Sequence, residues 1–208
     1  MKENLIKEIL CKEWKMFISV KNQGGKASCQ EDQKTFMIMR SSQFQTFPVE
    51  VLESYLSDLL HAGRYNRNLM TEKYGWMMEY TSPAEFKLIK DLLPRKDLTS
   101  LKYIKKILPI LLEWEKDLYI KFPYIYSLGR PTLTTEDKPF LTSFETYTKG
   151  ELCTYSPHTL LLYYNFIKEI YNKKINQSEL ILLNMVKKYG FSSLIEANES
   201  IKRKTNKE

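Results

Sequence analysis

Histidine is almost missing from this chain, with 2 among 208 residues, and cysteine is scarce, with 3. Neither His61 nor His158 follows a glutamate by three positions, so the paired Glu-x-x-His of a di-iron bundle is excluded. Cys11, Cys29 and Cys153 are odd in number and show no Cys-x-x-Cys spacing. That argues against a disulfide framework and against a structural zinc site. With 7 glycines and 8 prolines, long loops are few. No run approaches the roughly 18 apolar residues of a membrane span. The first stretch, "MKENLIKEIL", alternates charge with apolar residues and lacks the apolar core of a signal peptide. These absences lead to the expectation of a reduced, cytoplasmic protein with no membrane partner. No cofactor motif occurs, and "GGKAS" lacks the P-loop spacing.

What is present is helical periodicity. The hydrophobic fraction of 43% suits one globular domain. The pattern predicts helices at about 4–20, 35–45 and 48–63, over "NRNLMTEKYGWMMEY", and after the "SPAE" start at Ser82. Further helices are expected at about 99–121 with a kink near Pro109, at 138–152, after Ser156-Pro157, from Asn176 to Gly190, and after Ser192 or Ser193. The reading is an all-α, single compact domain of nine or ten helices over residues 1–201. Residues 202–208 are expected to form a charged, disordered tail.

The net charge is +7, but the lysines are scattered in pairs. They read as solvated helix faces rather than as a nucleic-acid groove.

The informative residues are charges on apolar faces. A helix advances about 100° per residue, so its apolar stripe can be drawn from sequence. Glu13 falls within the stripe of the first helix, Glu115 within that of the sixth and Glu151 within that of the seventh. Arg40 lies among Phe36, Met39, Phe44 and Phe47, and Lys73 among Leu69, Met70, Met77 and Tyr80. A buried ion costs several kcal/mol unless it is paired. These residues should therefore meet, with Arg40 forking onto carboxylates and Gln43 completing the shell.

Two readings stay open at this point. One is an internal ion-pair network that fixes helix register. The other is a polar pocket in which Glu13, Glu115 and Glu151 do acid, base or cation-binding work and Arg40 orients a ligand. A hard cation held by carboxylates alone is a further alternative. In the pocket reading the loop from Asn22 to Asp32 covers the mouth, with Gly24 and Gly25 as hinges. Asn22, Cys29, Asp32, Lys73 and Tyr147 then join the binding set. Cys29, just after the Gly-Gly pair, is the candidate thiol; Cys153 reads as packing.

Four segments carry a likeness: "EWKMF", "NQGGKASCQEDQKTFMIMRSSQF", "RNLMTEKYGWMME" and "TSFETYTKGELCTYSPHTL". They resemble a bacterial family, domain of unknown function four-one-two-five, over about Glu13 to Ala197. The resemblance implies a stand-alone helical protein that also occurs joined to a nucleotidyltransferase-like domain. It implies no particular reaction. Two functions follow: a buried Glu/Arg pocket for a small molecule, or an adaptor for a nucleotidyltransferase-like partner or an RNA.

Overall fold

The computed structural model describes residues 1–22, 25–138 and 141–206. Among these the chain forms eleven α-helices: α1 (Lys2–Ile18), α2 (Gln33–Phe44), α3 (Val49–Arg64), α4 (Leu69–Thr81), α5 (Pro83–Ile89), α6 (Leu98–Lys121), α7 (Pro123–Tyr126), α8 (Phe144–Leu152), α9 (Pro157–Asn172), α10 (Gln177–Lys188) and α11 (Leu194–Thr205). No strand is formed among the described residues, only an isolated bridge between Lys138 and Leu141. The fold is all-α. No helix of the described residues is long and apolar enough to cross a membrane.

The helix starts follow from local chemistry. The Asp32, Asn68, Asp97, Ser143, Ser156, Asn176 and Ser193 side chains each accept a first-turn N–H. Pro83, Pro123 and Pro157 occupy first helical positions, where a missing N–H costs nothing. Gly190 at φ +92° ends α10 in the left-handed region. Pro109 sits inside α6, which remains one helix of 24 residues.

Three expectations shift. The helix expected from Lys138 begins at Phe144, because Ser143 caps it and Asp137 Oδ1 accepts the Ser143 N–H at 2.5 Å. Leu141, whose apolar side chain extends the helical pattern upstream of Ser143, is 43% exposed, and Phe140 lies outside the described residues. The charged tail is helical as far as Thr205, with Lys202, Arg203 and Lys204 in the last turn, where the helix dipole favours cations. The additional helix is α7, four residues started by Pro123 and capped by Asn198 of α11, whose Oδ1 accepts the N–H groups of Tyr124 and Ile125 at 3.1 and 3.2 Å.

The main core gathers Ile9, Phe44, Phe47, Leu52, Tyr55, Leu59, Ile107, Leu160 and Ile167 from α1, α2, the turn after it, α3, α6 and α9. A second core joins Ile125, Val186, Leu194 and Ala197 of α7, α10 and α11. A third links Phe17, Val20 and Met70 with Phe36 and Tyr74.

Helices α4 and α8 approach closely because residue 150 is glycine. A Cβ there would lie 2.9 Å from the Lys73 carbonyl oxygen and 2.7 Å from Met77 Cγ. That approach sets Lys73 beside Glu151. Gly150→Ala is expected to destabilise the protein by about 1 kcal/mol in thermal unfolding, as overpacking outweighs the better helix propensity of alanine. An unchanged or raised melting temperature would show that the two helices can separate freely.

Candidate functional site: a closed charge cluster

Five helices deliver charged or polar side chains to one point. Glu13 comes from α1, Arg40 and Gln43 from α2, Tyr55 from α3, Lys73 from α4 and Glu151 from α8. Tyr155 enters from the turn before α9. Arg40 is the hub. Its Nε and Nη2 fork onto Glu13 Oε2 and Oε1 at 2.8 and 2.5 Å. Its Nη1 donates to both Glu151 oxygens at 3.0 Å and to Gln43 Oε1 at 2.5 Å.

Lys73 Nζ donates to Glu151 Oε2 at 2.5 Å. The Tyr55 hydroxyl donates to Glu13 Oε1 at 2.7 Å. The Tyr155 hydroxyl and Gln43 Nε2 both donate to Glu151 Oε1 at 3.1 Å. Two carboxylates thus meet two cations, and each of the four carboxylate oxygens has at least one donor.

The cluster is shut off from water: Glu13 is 0% exposed, Lys73 2%, Arg40 5% and Glu151 5%. Burial alone would push the Glu151 carboxyl up. The charges of Arg40 and Lys73 outweigh it and hold that carboxyl well below the usual carboxylate range. Burial and the neighbouring Glu13 charge push the Tyr55 hydroxyl well up, so it remains a donor.

One side of the cluster connects outward through Tyr147. Its ring has Lys73 Nζ 3.4 Å and Arg130 Cζ 4.5 Å from its centroid, and Arg130 is exposed.

Glu115 is not part of this cluster, although the sequence grouped it with Glu13 and Glu151. Its polar neighbours are the hydroxyls of Ser178 on α10 and Tyr126 on α7. The reason is geometric: α6 is about 36 Å long, and besides α8 and α9 it packs against α7 and α10, which supply these two hydroxyls. Burial, with no charged partner to offset it, pushes the Glu115 carboxyl up to about 7.

The loop residues have other tasks. Asp32 caps α2 by accepting the Thr35 N–H at 2.9 Å. Asn22 Nδ2 donates to Gln30 Oε1 at 2.8 Å, and Gln30 Nε2 donates to the carbonyls of Phe17 and Val20 at 2.8 and 3.0 Å. Gln30, 2% exposed, therefore ties the loop to the end of α1. Gly25 has φ +88°; Gly24 lies outside the described residues. Cys29 is exposed, and Cys153 is buried in the main core.

Tyr55 and Gln30 were not singled out from sequence, because tyrosine in an apolar stripe and glutamine in a loop look ordinary. Glu72, gripped by Arg67 through two bonds of 2.7 Å, was also missed. Among the described residues no group of three or more His, Cys, Asp and Glu gathers as a metal site would require. In the cluster the Arg40 guanidinium stands between the two carboxylates.

The family model described as "Protein of unknown function (DUF4125)" matches residues 3–199. The chain belongs to this family. Neither a curated protein nor a solved structure matches it. The DUF4125 match takes in every residue of the charge cluster as well as Glu115.

Proposed function

We propose that this chain is a non-catalytic binding module, in which the charge cluster fixes helix register and partners are recognised on the surface. The observation that carries this reading is the closure of the cluster. An acid or base must reach its substrate, and a ligand-orienting arginine needs open donors. Here the Glu13 and Glu151 oxygens are occupied by the chain's own donors, and Arg40 is committed to three acceptor side chains. A nucleotidyltransferase-like protein, suggested by the family resemblance, is the partner class to try first.

Native mass spectrometry of the protein purified from cells tests the reading. The expected result is the mass of the bare chain. A co-purified small molecule that is lost in a still-folded Glu151→Gln variant would overturn it and restore the interior pocket.

A further inference from the structure

We infer that the elbow formed by α5, the turn after it and the start of α6 is a docking surface for an acidic amphipathic helix of a partner protein. This rests on the binding-module reading and names the surface that module would use.

The elbow separates its apolar residues into two sets. Phe86 packs near Trp76, with ring centroids 6.1 Å apart, and Leu93 fills the space over Gly75, where a Cβ would come within 2.8 Å of Leu93 Cδ2. Ile104 and Ile107 of α6 enter the main core. These contacts fix the elbow on the bundle. The second set faces water: Leu88 is 82% exposed, Leu92 82%, Leu98 86% and Leu101 39%. Single exposed leucines are ordinary, but four within 88–101, none of them in any of the three cores, supply the ridge proposed here. Leu98 and Leu101, three residues apart on α6, share one helix face, as contact with the apolar stripe of a partner helix requires.

The surrounding charge selects the occupant. Lys87, Lys90, Arg95, Lys102, Lys105 and Lys106 are exposed on the same segment, against exposed Asp91 and Asp97. Asp97 is already used, accepting the Ser100 N–H at 2.7 Å. Among the described residues none of those six cations forms an ion pair within the chain. A second copy would bring the same positive charge and be repelled. A bilayer-seeking surface would carry aromatic anchors. Here Phe86 and Tyr103 turn inward, toward Trp76 and the main core. An acidic helix with a leucine stripe satisfies both the ridge and its rim.

The test uses the full chain and a fluorescein-labelled synthetic helix, with leucines at heptad spacing in an alanine-glutamate background. A control peptide replaces every glutamate with lysine. By anisotropy, the glutamate peptide is expected to bind at least about tenfold more tightly than the lysine peptide. Leu88→Asp/Leu92→Asp and, separately, Lys102→Glu/Lys105→Glu should each weaken binding by about tenfold or more, with unchanged circular dichroism. Equal binding of both peptides, or full binding by the leucine variant, overturns the inference. So does leucine-dependent binding to phosphatidylserine vesicles without peptide binding, which assigns the ridge to a bilayer. Leucine-dependent self-association in sedimentation overturns it in favour of a second copy. These failures leave the binding-module reading intact, since that reading falls only to a ligand found within the chain.

Discussion

Replacing Arg40 with methionine should lower stability by about 5 kcal/mol at pH 7, the upper range for breaking a buried ion pair from one side. The hub serves two carboxylates at once. Without it Glu13 keeps the Tyr55 hydroxyl and no cation, while Glu151 keeps Lys73. The melting temperature should fall by roughly 10–20 °C, at about 2–4 °C per kcal/mol for a chain of this size.

Arg40→Lys should recover only part of this, because an ammonium cannot fork onto Glu13 while also reaching Glu151. The pH dependence sharpens the test. In the natural protein Glu151 is held below its ordinary value of 4.5. Its contribution is therefore present above about 4.5 and is lost as pH falls further. Arg40→Met removes the larger of the two charges that hold Glu151 down, so acid costs the variant less than it costs the natural protein. The stability gap should narrow between pH 7 and pH 4 in urea titrations. A gap that stays constant or widens would mean that the cluster does not carry the charge it is drawn with.

The inward charges were legible because helical geometry is rigid. A residue's place on a 100° wheel tells whether it faces the core, and Glu13, Arg40, Lys73 and Glu151 all face inward as their stripes require. The wheel does not tell which core a long helix addresses. Glu115 was therefore placed inward and yet grouped with the wrong partners, since its carboxyl meets Ser178 of α10 and Tyr126 of α7 instead of Arg40.

Neutral members were harder to read. Tyr55, Gln30 and Asn198 carry no charge, so their burial raises no alarm in the sequence even though each satisfies a buried or terminal polar group. The start of α8 was misjudged for a related reason. Apolar periodicity runs on past a helix end, and only the Ser143 cap marks the boundary.

Glu115→Gln should stabilise the protein, by an amount that grows as pH rises from about 4.5 to 7. Glu115 is half-buried, with the neutral hydroxyls of Ser178 and Tyr126 as the polar neighbours of its carboxyl. Burial pushes the Tyr126 hydroxyl up to about 12, so it stays uncharged throughout the range tested. The nearby charges are paired elsewhere: Glu179 with Lys121, and Asp117 with the same lysine. Raised from 4.5 to about 7, the carboxyl binds its proton more tightly in the folded chain. Its favourable share is complete below about 4.5 and is lost as pH rises through 7. The full shift corresponds to about 3 kcal/mol, and residual solvent contact reduces this to about 2 kcal/mol.

Glutamine keeps the shape and removes the charge. At pH 8 the variant should melt about 4–8 °C higher than the natural protein, and at pH 4 within about 1 °C of it. Amide exchange should locate the difference in α7, α10 and α11, the helices around the second core, whose opening lets water reach an ionised Glu115. Equal melting differences at both pH values would show that the carboxyl titrates normally and that solvent already reaches it in the folded state.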